Sequence, residues 1–385
     1  MEKIFEQTAA LRRENNWQGI VRLLQPLCRE GRAAWNEPRA LSELGFACTQ
    51  VNALDNAKKY YQRWIEVEPD RAQPFYCLGY VFYLEQNWLE AIRWFDEALR
   101  IFPDYLVCLY RKGYAFFADG KSKKCIEPVA RALGIYRASR DEDFRKRHAK
   151  TAVKAMFLLA RALYQTKDYQ NALAQIQSAF AHNKRGFIPT AHLHYALGKI
   201  LTALHREDEA LKHLGQALNR RHPQAYVLDQ IGRVHHQIGD YQTALDKYGQ
   251  ALALRRFHYI LFDRAMTFLA LGKSDPAVRD LHEALKRDKL GKHKIYLELG
   301  KISIEREKWV EARHYLESAI QFKKKTYQAD YAEAHYAMVF LHLKHGEKNL
   351  AKEAFQHALD INPNLKWDQN LRQILGIAVD AGVVV

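Results

Sequence analysis

The chain has 385 residues, and its 59 lysines and arginines outnumber its 44 aspartates and glutamates to give a formal net charge of +15. Almost half of the residues are hydrophobic, which excludes a disordered chain, and no apolar run has the length needed to cross a bilayer. The excess of positive charge favours a negatively charged partner without identifying it. Because no apolar leader follows Met1, the simple expectation is a cytoplasmic protein.

The segment between Pro69 and Pro103 predicts two amphipathic helices joined by a tight connection at Asn87. Each helix combines small residues with large ones, so that the helices approach closely while rings fill the space beside them. These residues are Phe75, Leu78, Gly79 and Phe82 in the first helix and Ala91, Phe95 and Ala98 in the second. Such a short pair cannot bury its apolar face alone, and it therefore predicts neighbours of the same kind.

Ten such helix pairs are predicted along the chain, beginning near residues 1, 38, 72, 106, 153, 191, 225, 258, 293 and 332. A small residue recurs at one place in the second helix of nearly every pair: Ala57, Ala91, Cys125, Ala172, Ala210, Ala244, Ala277, Ala312 and Ala351. A Leu-Gly type pair recurs in the first helix at Leu44-Gly45, Leu78-Gly79, Leu197-Gly198, Ile231-Gly232 and Leu299-Gly300. The fixed spacing indicates one repeated structural unit.

This pattern resembles the tetratricopeptide repeat family. The resemblance implies an all-α fold, a right-handed α-solenoid of about ten helix-turn-helix units over residues 1–363, continuous from end to end. Residues 364–385 are expected to form a C-terminal capping helix, placed at 367–375, and a tail. The apolar end at 380–385 either docks on another surface or belongs to a longer protein.

Two spacings exceed the thirty-four-residue period. The first excess, at 138–151, is highly charged and lacks glycine and proline. It either simply lengthens two helices or has a functional role, as a projecting arm or as a local change in the curvature of the superhelix. The second, around 323–330, is shorter. Both are landmarks, and neither contains a known motif.

The resemblance implies that the first helix of each repeat lines a concave groove. The face that points into this groove is rich in aromatic residues and carries a basic ladder at Arg161, Lys199 and Arg233. Some of the rings are expected to pack between neighbouring first helices instead. The predicted partner-binding residues are Tyr76, Tyr80, Tyr110, Arg111, Tyr114, Phe157, Arg161, Tyr195, Lys199, Arg233, His236 and Phe262.

Such a groove favours a non-enzymatic adaptor or scaffold that binds an extended, acidic peptide or partner segment, because rings offer rigid apolar area and cations meet carboxylates. The alternative is single-stranded RNA or DNA, whose bases stack on aromatics while cations follow the phosphates. A third possibility is a scaffold that docks through its outer face. The carboxylate-clamp subtype that binds chaperone tails is not expected, because its inward asparagine is missing.

The sequence contains no phosphate-binding loop, nucleophile elbow or zinc helix. His342 and His345 could share a helix face, but no third ligand at a suitable spacing is evident. We therefore expect no catalytic residues, no metal site and no cofactor. The sequence does not determine the oligomeric state.

Overall fold

The computed structural model describes residues 1–219 and 221–376, so the apolar end at 380–385 lies outside the described residues. The described residues form twenty-one α-helices and no strand, which confirms the predicted all-α class. In chain order the helices are α1 (Glu2–Arg13), α2 (Trp17–Leu24), α3 (Pro38–Gln50), α4 (Leu54–Val67), α5 (Ala72–Leu84), α6 (Trp88–Ile101), α7 (Leu106–Ala118), α8 (Ser122–Ala138), α9 (Glu142–Gln165), α10 (Tyr169–His182), α11 (Thr190–Ala203), α12 (Glu207–Ala217), α13 (Ala225–Gln237), α14 (Tyr241–Leu254), α15 (His258–Ala270), α16 (Ser274–Arg287), α17 (Lys292–Glu305), α18 (Trp309–Tyr327), α19 (Ala332–Lys344), α20 (Lys348–Ile361) and α21 (Asn370–Leu375).

The helices follow one another as antiparallel pairs, with the odd-numbered helix first in each pair from α1–α2 to α19–α20. The first helices begin at or beside the predicted starts, with one exception. Helix α9 begins at Glu142 instead of near residue 153. The final helix, expected from residue 367, begins at Asn370. None of the described helices combines the length and the apolar character needed to span a membrane.

The charged excess at 138–151 lengthens helices, as one of the two expectations had it. Helix α8 has 17 residues and α9 has 24, whereas α6 has 14. The side chain of Asp141 caps the N-terminus of α9. It accepts hydrogen bonds from the backbone N–H groups of Asp143 and Phe144, at 2.8 and 3.1 Å. The additional residues around 323–330 likewise extend helix α18 to Tyr327. Gln328 follows in the left-handed backbone conformation and ends the helix.

The helices group into two compact units, which we call unit 1 (Met1–Ala217, helices α1 to α12) and unit 2 (from Leu218, helices α13 to α21). In each unit the core lies between the two helices of a pair and between one pair and the next.

The distance between paired helices is set by a small residue that faces a large one. In the α5–α6 pair, a Cβ atom added to Gly79 would lie 2.8 Å from Cδ1 of Phe95, whose side chain is fully buried. Glycine is required there because any side chain would meet that ring. The same arrangement recurs at Gly45–Tyr61, Gly113–Val129, Gly198–Leu214, Gly232–Tyr248 and Gly300–Leu316.

Candidate functional site

In unit 1, the first helices of four consecutive pairs form a continuous row: α5 contacts α7, α7 contacts α9, and α9 contacts α11. Among the described residues of this unit, no two consecutive second helices contact each other as extensively. Helices that are closer together lie on the inner side of a curved array. We call the surface formed by these four helices the first-helix face, and most of the predicted groove residues of unit 1 lie on it.

Arg111 of α7 is the centre of this face. Its guanidinium carbon lies 4.9 Å from the ring centroids of both Tyr80 and Tyr83, and 5.7 Å from that of Tyr110. The side chain is half-buried, and its Nε atom is buried without a hydrogen-bond partner. Within the described ranges, no carboxylate forms an ion pair with Arg111.

The tyrosines around Arg111 do not neutralise it. Burial raises the pKa of Tyr76 and of Tyr83, and it raises the pKa of Tyr110 to about 12. These three phenols therefore stay uncharged at neutral pH. A half-buried cation surrounded by neutral rings is an unusual arrangement, because buried charges in proteins are normally paired. The positive charge of Arg111 therefore has no carboxylate counter-charge among the described residues.

Two further cations lie over rings in the same manner. Each contacts an aromatic residue one turn earlier in its own helix and another on the preceding first helix, at 4.6–5.8 Å from the ring centroid. They are Arg161 over Phe157 and Phe117, and Lys199 over Tyr195 and Tyr164. Cation–π contacts of this kind contribute about 0.5–1 kcal/mol at exposed sites and hold the charged group in place.

Lys154 joins this group, although sequence reasoning did not select it. Burial lowers its pKa, and the nearby charges of Lys150 and Arg111 lower it further. Lys150, Lys154 and Arg161 lie on one stripe of α9, at spacings of four and seven residues. We use the name basic-aromatic cluster for Arg111, Lys154 and Arg161 with the rings of Tyr80, Tyr83, Tyr114, Phe117 and Phe157.

Replacing Lys154 by methionine is expected to raise the free energy of unfolding by at most about 1 kcal/mol, because it removes repulsion from Arg111 and Lys150. The folded pKa of Lys154 lies below the unfolded value, so this penalty is fully present at neutral pH and disappears as pH rises towards 10.5. Urea denaturation at neutral pH measures the change. Lys123→Met, on the exposed start of α8, is the control and is expected to leave stability unchanged. A lower stability for the Lys154 variant would contradict the assignment.

The third residue of the predicted basic ladder, Arg233, has a different environment. It belongs to unit 2, where its guanidinium forms ion pairs with Asp229 at 3.2 Å and with Asp263 at 2.5 Å. Lys301, at the corresponding place in α17, pairs with Glu298 at 2.9 Å. The predicted basic ladder is therefore not uniform, because two carboxylates already compensate the charge of Arg233, its member in unit 2.

The two aspartates beside Arg233 lie in a buried environment that disfavours their charged forms. Burial raises the pKa of Asp229, which is 4% exposed, and the pKa of Asp263 as well. The guanidinium of Arg233 opposes the rise in the pKa of Asp229, and the neighbouring carboxyl group of Asp263 adds to it. Both carboxyl groups therefore retain a proton to a higher pH than an exposed aspartate does.

Protein stability is expected to fall as pH rises from about 4 to about 7, relative to an Asp229→Asn variant. The raised pKa means that the folded state retains a proton that the unfolded chain releases above 3.8, so deprotonation is penalised only in the folded state. The asparagine mimics the protonated carboxyl and removes this dependence. Urea denaturation of both proteins across this range gives the difference, with a slope of at most about 1.4 kcal/mol per pH unit. Parallel stability profiles would contradict the raised pKa of Asp229.

The remaining predicted groove residues contribute mainly to packing. Tyr110 is only 7% exposed, and Tyr76 packs on Phe95 and Tyr105. In unit 2, Phe262 is partly buried against the core, and His236 hydrogen-bonds with Thr267 at 2.9 Å. The rings of these four residues therefore contribute more to packing around the first helices than to a surface that a ligand could contact.

Comparison with known families supports the repeat assignment. Tetratricopeptide repeat models match residues 72–105, 129–186, 189–256, 262–330 and 332–365. The chain belongs to the tetratricopeptide repeat family. The helix pairs of both units are thus tetratricopeptide repeats stacked as α-solenoids, and the chain is a protein-interaction scaffold, a role that this family generally performs without catalysis.

Several solved structures are similar to this chain at low sequence identity. A tetratricopeptide repeat protein from Parabacteroides merdae is 12% identical and has a TM-score of 0.46, covering 69% of this chain and 98% of its own. Human IFIT1, solved as a dimer with PPP-AAAA, is 15% identical with a TM-score of 0.49, covering 92% and 80%. Pseudomonas aeruginosa pilF is 17% identical with a TM-score of 0.44, covering 57% and 91%. These values transfer no ligand or residue role to this chain. No curated protein matched it.

Proposed function

We propose that unit 1 binds an extended peptide segment with acidic side chains along the first-helix face, and that the protein acts as an adaptor through this contact. The observation that carries the proposal is the environment of Arg111, half-buried among tyrosines and without a described carboxylate partner. A peptide carboxylate would supply the missing counter-charge and satisfy the guanidinium.

The neighbouring cations strengthen the attraction for an acidic segment. Lys154 and Arg161 place two more positive charges near Arg111, and Arg161 is exposed. A bound carboxylate would relieve the repulsion that lowers the pKa of Lys154. Because helices hold the rings and cations in place before binding, little conformational entropy is lost when the peptide docks.

The alternative, single-stranded nucleic acid, needs aromatic faces on which bases can stack. Around Arg111, other side chains of the protein already cover the faces of these rings. The guanidinium covers Tyr80 and Tyr83, while the ring of Tyr83 also lies 5.7 Å from that of Tyr80 and 5.4 Å from that of Tyr114. Carboxylates need only the cations. This arrangement favours an acidic peptide over a stacked base.

The experiment is a titration of the full chain with fluorescent peptides. A library of acidic peptides would be compared with a library in which lysine replaces each acidic residue, and with single-stranded RNA, at low and high salt. We expect the acidic library to bind and the basic library not to bind. Arg161→Gln should weaken binding about tenfold, whereas Arg93→Gln, on the second helix α6, should not change it.

The outcomes separate the candidate functions. RNA binding with a log–log salt slope of roughly −3, without acidic-peptide binding, would replace the proposal with a single-strand binder that neutralises about four phosphates. Binding of neither ligand would reject the first-helix face and leave the outer face as the docking surface.

A further inference from the structure

Unit 2 contains a cluster of two histidines and one aspartate that the acidic-peptide proposal does not use. Asp330 lies in the connection between α18 and α19, His335 lies in α19, and His357 lies in α20. One potential ligand atom from each residue lies within 4.8 Å of the other two. Three separate segments of the chain therefore present nitrogen and oxygen donors to one point.

Each imidazole Nε2 lies from one oxygen of the Asp330 carboxylate at about the separation found between two ligands of a metal ion. Nε2 of His335 lies 3.0 Å from Oδ1 of Asp330, and Nε2 of His357 lies 3.4 Å from Oδ2 of the same carboxylate. In a tetrahedral zinc site with bonds of about 2.0–2.1 Å, neighbouring ligand atoms are about 3.3 Å apart. The two imidazole rings are perpendicular, with centroids 4.4 Å apart, so their Nε2 edges can converge without stacking.

We propose that Asp330, His335 and His357 form a binding site for a divalent transition-metal ion of the zinc type. Two imidazole nitrogens and one carboxylate oxygen are borderline ligands that suit zinc and its neighbours better than magnesium or calcium. Three protein ligands leave the fourth position to water or to a donor from a partner. The site is accessible, since the side chain of His357 is 51% exposed.

The site depends on the second excess over the repeat period. The additional residues at 323–330 extend α18 to Tyr327 and place Asp330 at the end of the following connection. From there its carboxylate reaches both α19 and α20. A bound ion would join the α18–α19 connection to the last helix pair of unit 2. Such a site would give a function to the additional residues at 323–330, which the repeat itself does not require.

Without a metal, the carboxylate of Asp330 hydrogen-bonds with His335 and lies within ion-pair distance of His357. The two states differ in a measurable property, the affinity for added metal. The full chain, freed of metal by chelation, would be titrated with zinc chloride in a calorimeter and with cobalt chloride in a spectrophotometer, where tetrahedral coordination gives strong visible absorption. Asp330→Asn and His357→Ala remove single ligands, and His314→Ala, an exposed histidine of α18, is the control.

We expect one zinc ion per chain, a tetrahedral cobalt spectrum and a higher melting temperature with zinc. Affinity should fall at least about tenfold in Asp330→Asn and in His357→Ala and stay unchanged in His314→Ala. Circular dichroism would verify that the variants are folded. If His357→Ala does not fold, the near-isosteric Asp330→Asn variant still tests the site. No binding by the unaltered chain would overturn the proposal, as would equal affinity in all four proteins.

Discussion

Replacing Phe95 by alanine is expected to lower the free energy of unfolding by about 3–5 kcal/mol. The ring is fully buried between α5 and α6, where it packs against Gly79 and stacks near Tyr76. Removing it takes away apolar contacts and leaves a cavity that two helices held by their neighbours cannot close. Urea denaturation followed by tryptophan fluorescence measures the loss, since Trp94 is adjacent in the sequence.

The same contact can be tested from its other side. Gly79→Ala should cost about 1–3 kcal/mol, because the new Cβ would lie 2.8 Å from Cδ1 of Phe95 and 3.1 Å from Cβ of Trp94. Gly134, inside α8, is the matched control, since a Cβ there would meet no atom within 4 Å. Gly134→Ala should stabilise the protein by about 0.5–1 kcal/mol. Equal effects of the two substitutions would contradict the assigned packing.

Replacing Arg111 by methionine is expected to weaken acidic-peptide binding about thirtyfold or more, the loss typical of a central hot-spot residue. Methionine keeps the apolar stem that packs among the tyrosines but removes the charge and the hydrogen-bond donors. Arg111→Lys keeps the charge without the planar fork and should give an intermediate affinity. Fluorescence titration with the acidic library measures all three proteins.

The control for this prediction is Arg93→Met on α6, an exposed arginine outside the first-helix face. It should bind like the unaltered chain. Unchanged affinity in Arg111→Met, with its folding verified, would show that the guanidinium does not contact the ligand.

The helix pairs could be predicted from sequence because the repeat imposes a fixed period on small and large residues. Gly79 and Phe95 both lie in the interface between the paired helices, as the helical stripe predicted, and the structure adds that they face each other directly. The neighbouring helix face was predicted to carry Arg161 and Lys199 together with aromatic residues, and the structure adds that each cation lies over two rings. These features depend on local spacing, and local spacing is visible in the sequence.

Contacts between different helices were harder to predict. Lys154 was missed because its position depends on how far α9 extends before residue 153. The ion pairs of Arg233 involve Asp263 on another helix, one position beyond the face that was considered. The meeting of Asp330 with His335 and His357 depends on a departure from the period, which the repeat pattern cannot anticipate.

The most direct test of the peptide proposal is to locate the bound ligand on the chain. An acidic peptide with a central photoreactive group would be irradiated with the full-length protein, and the crosslinked residues identified by mass spectrometry. We expect crosslinks in the first helices α5, α7 and α9 around Arg111, and their loss in Arg111→Met. Crosslinks confined to the second helices α6 and α8, or to unit 2, would contradict the proposal that the basic-aromatic cluster is the binding site.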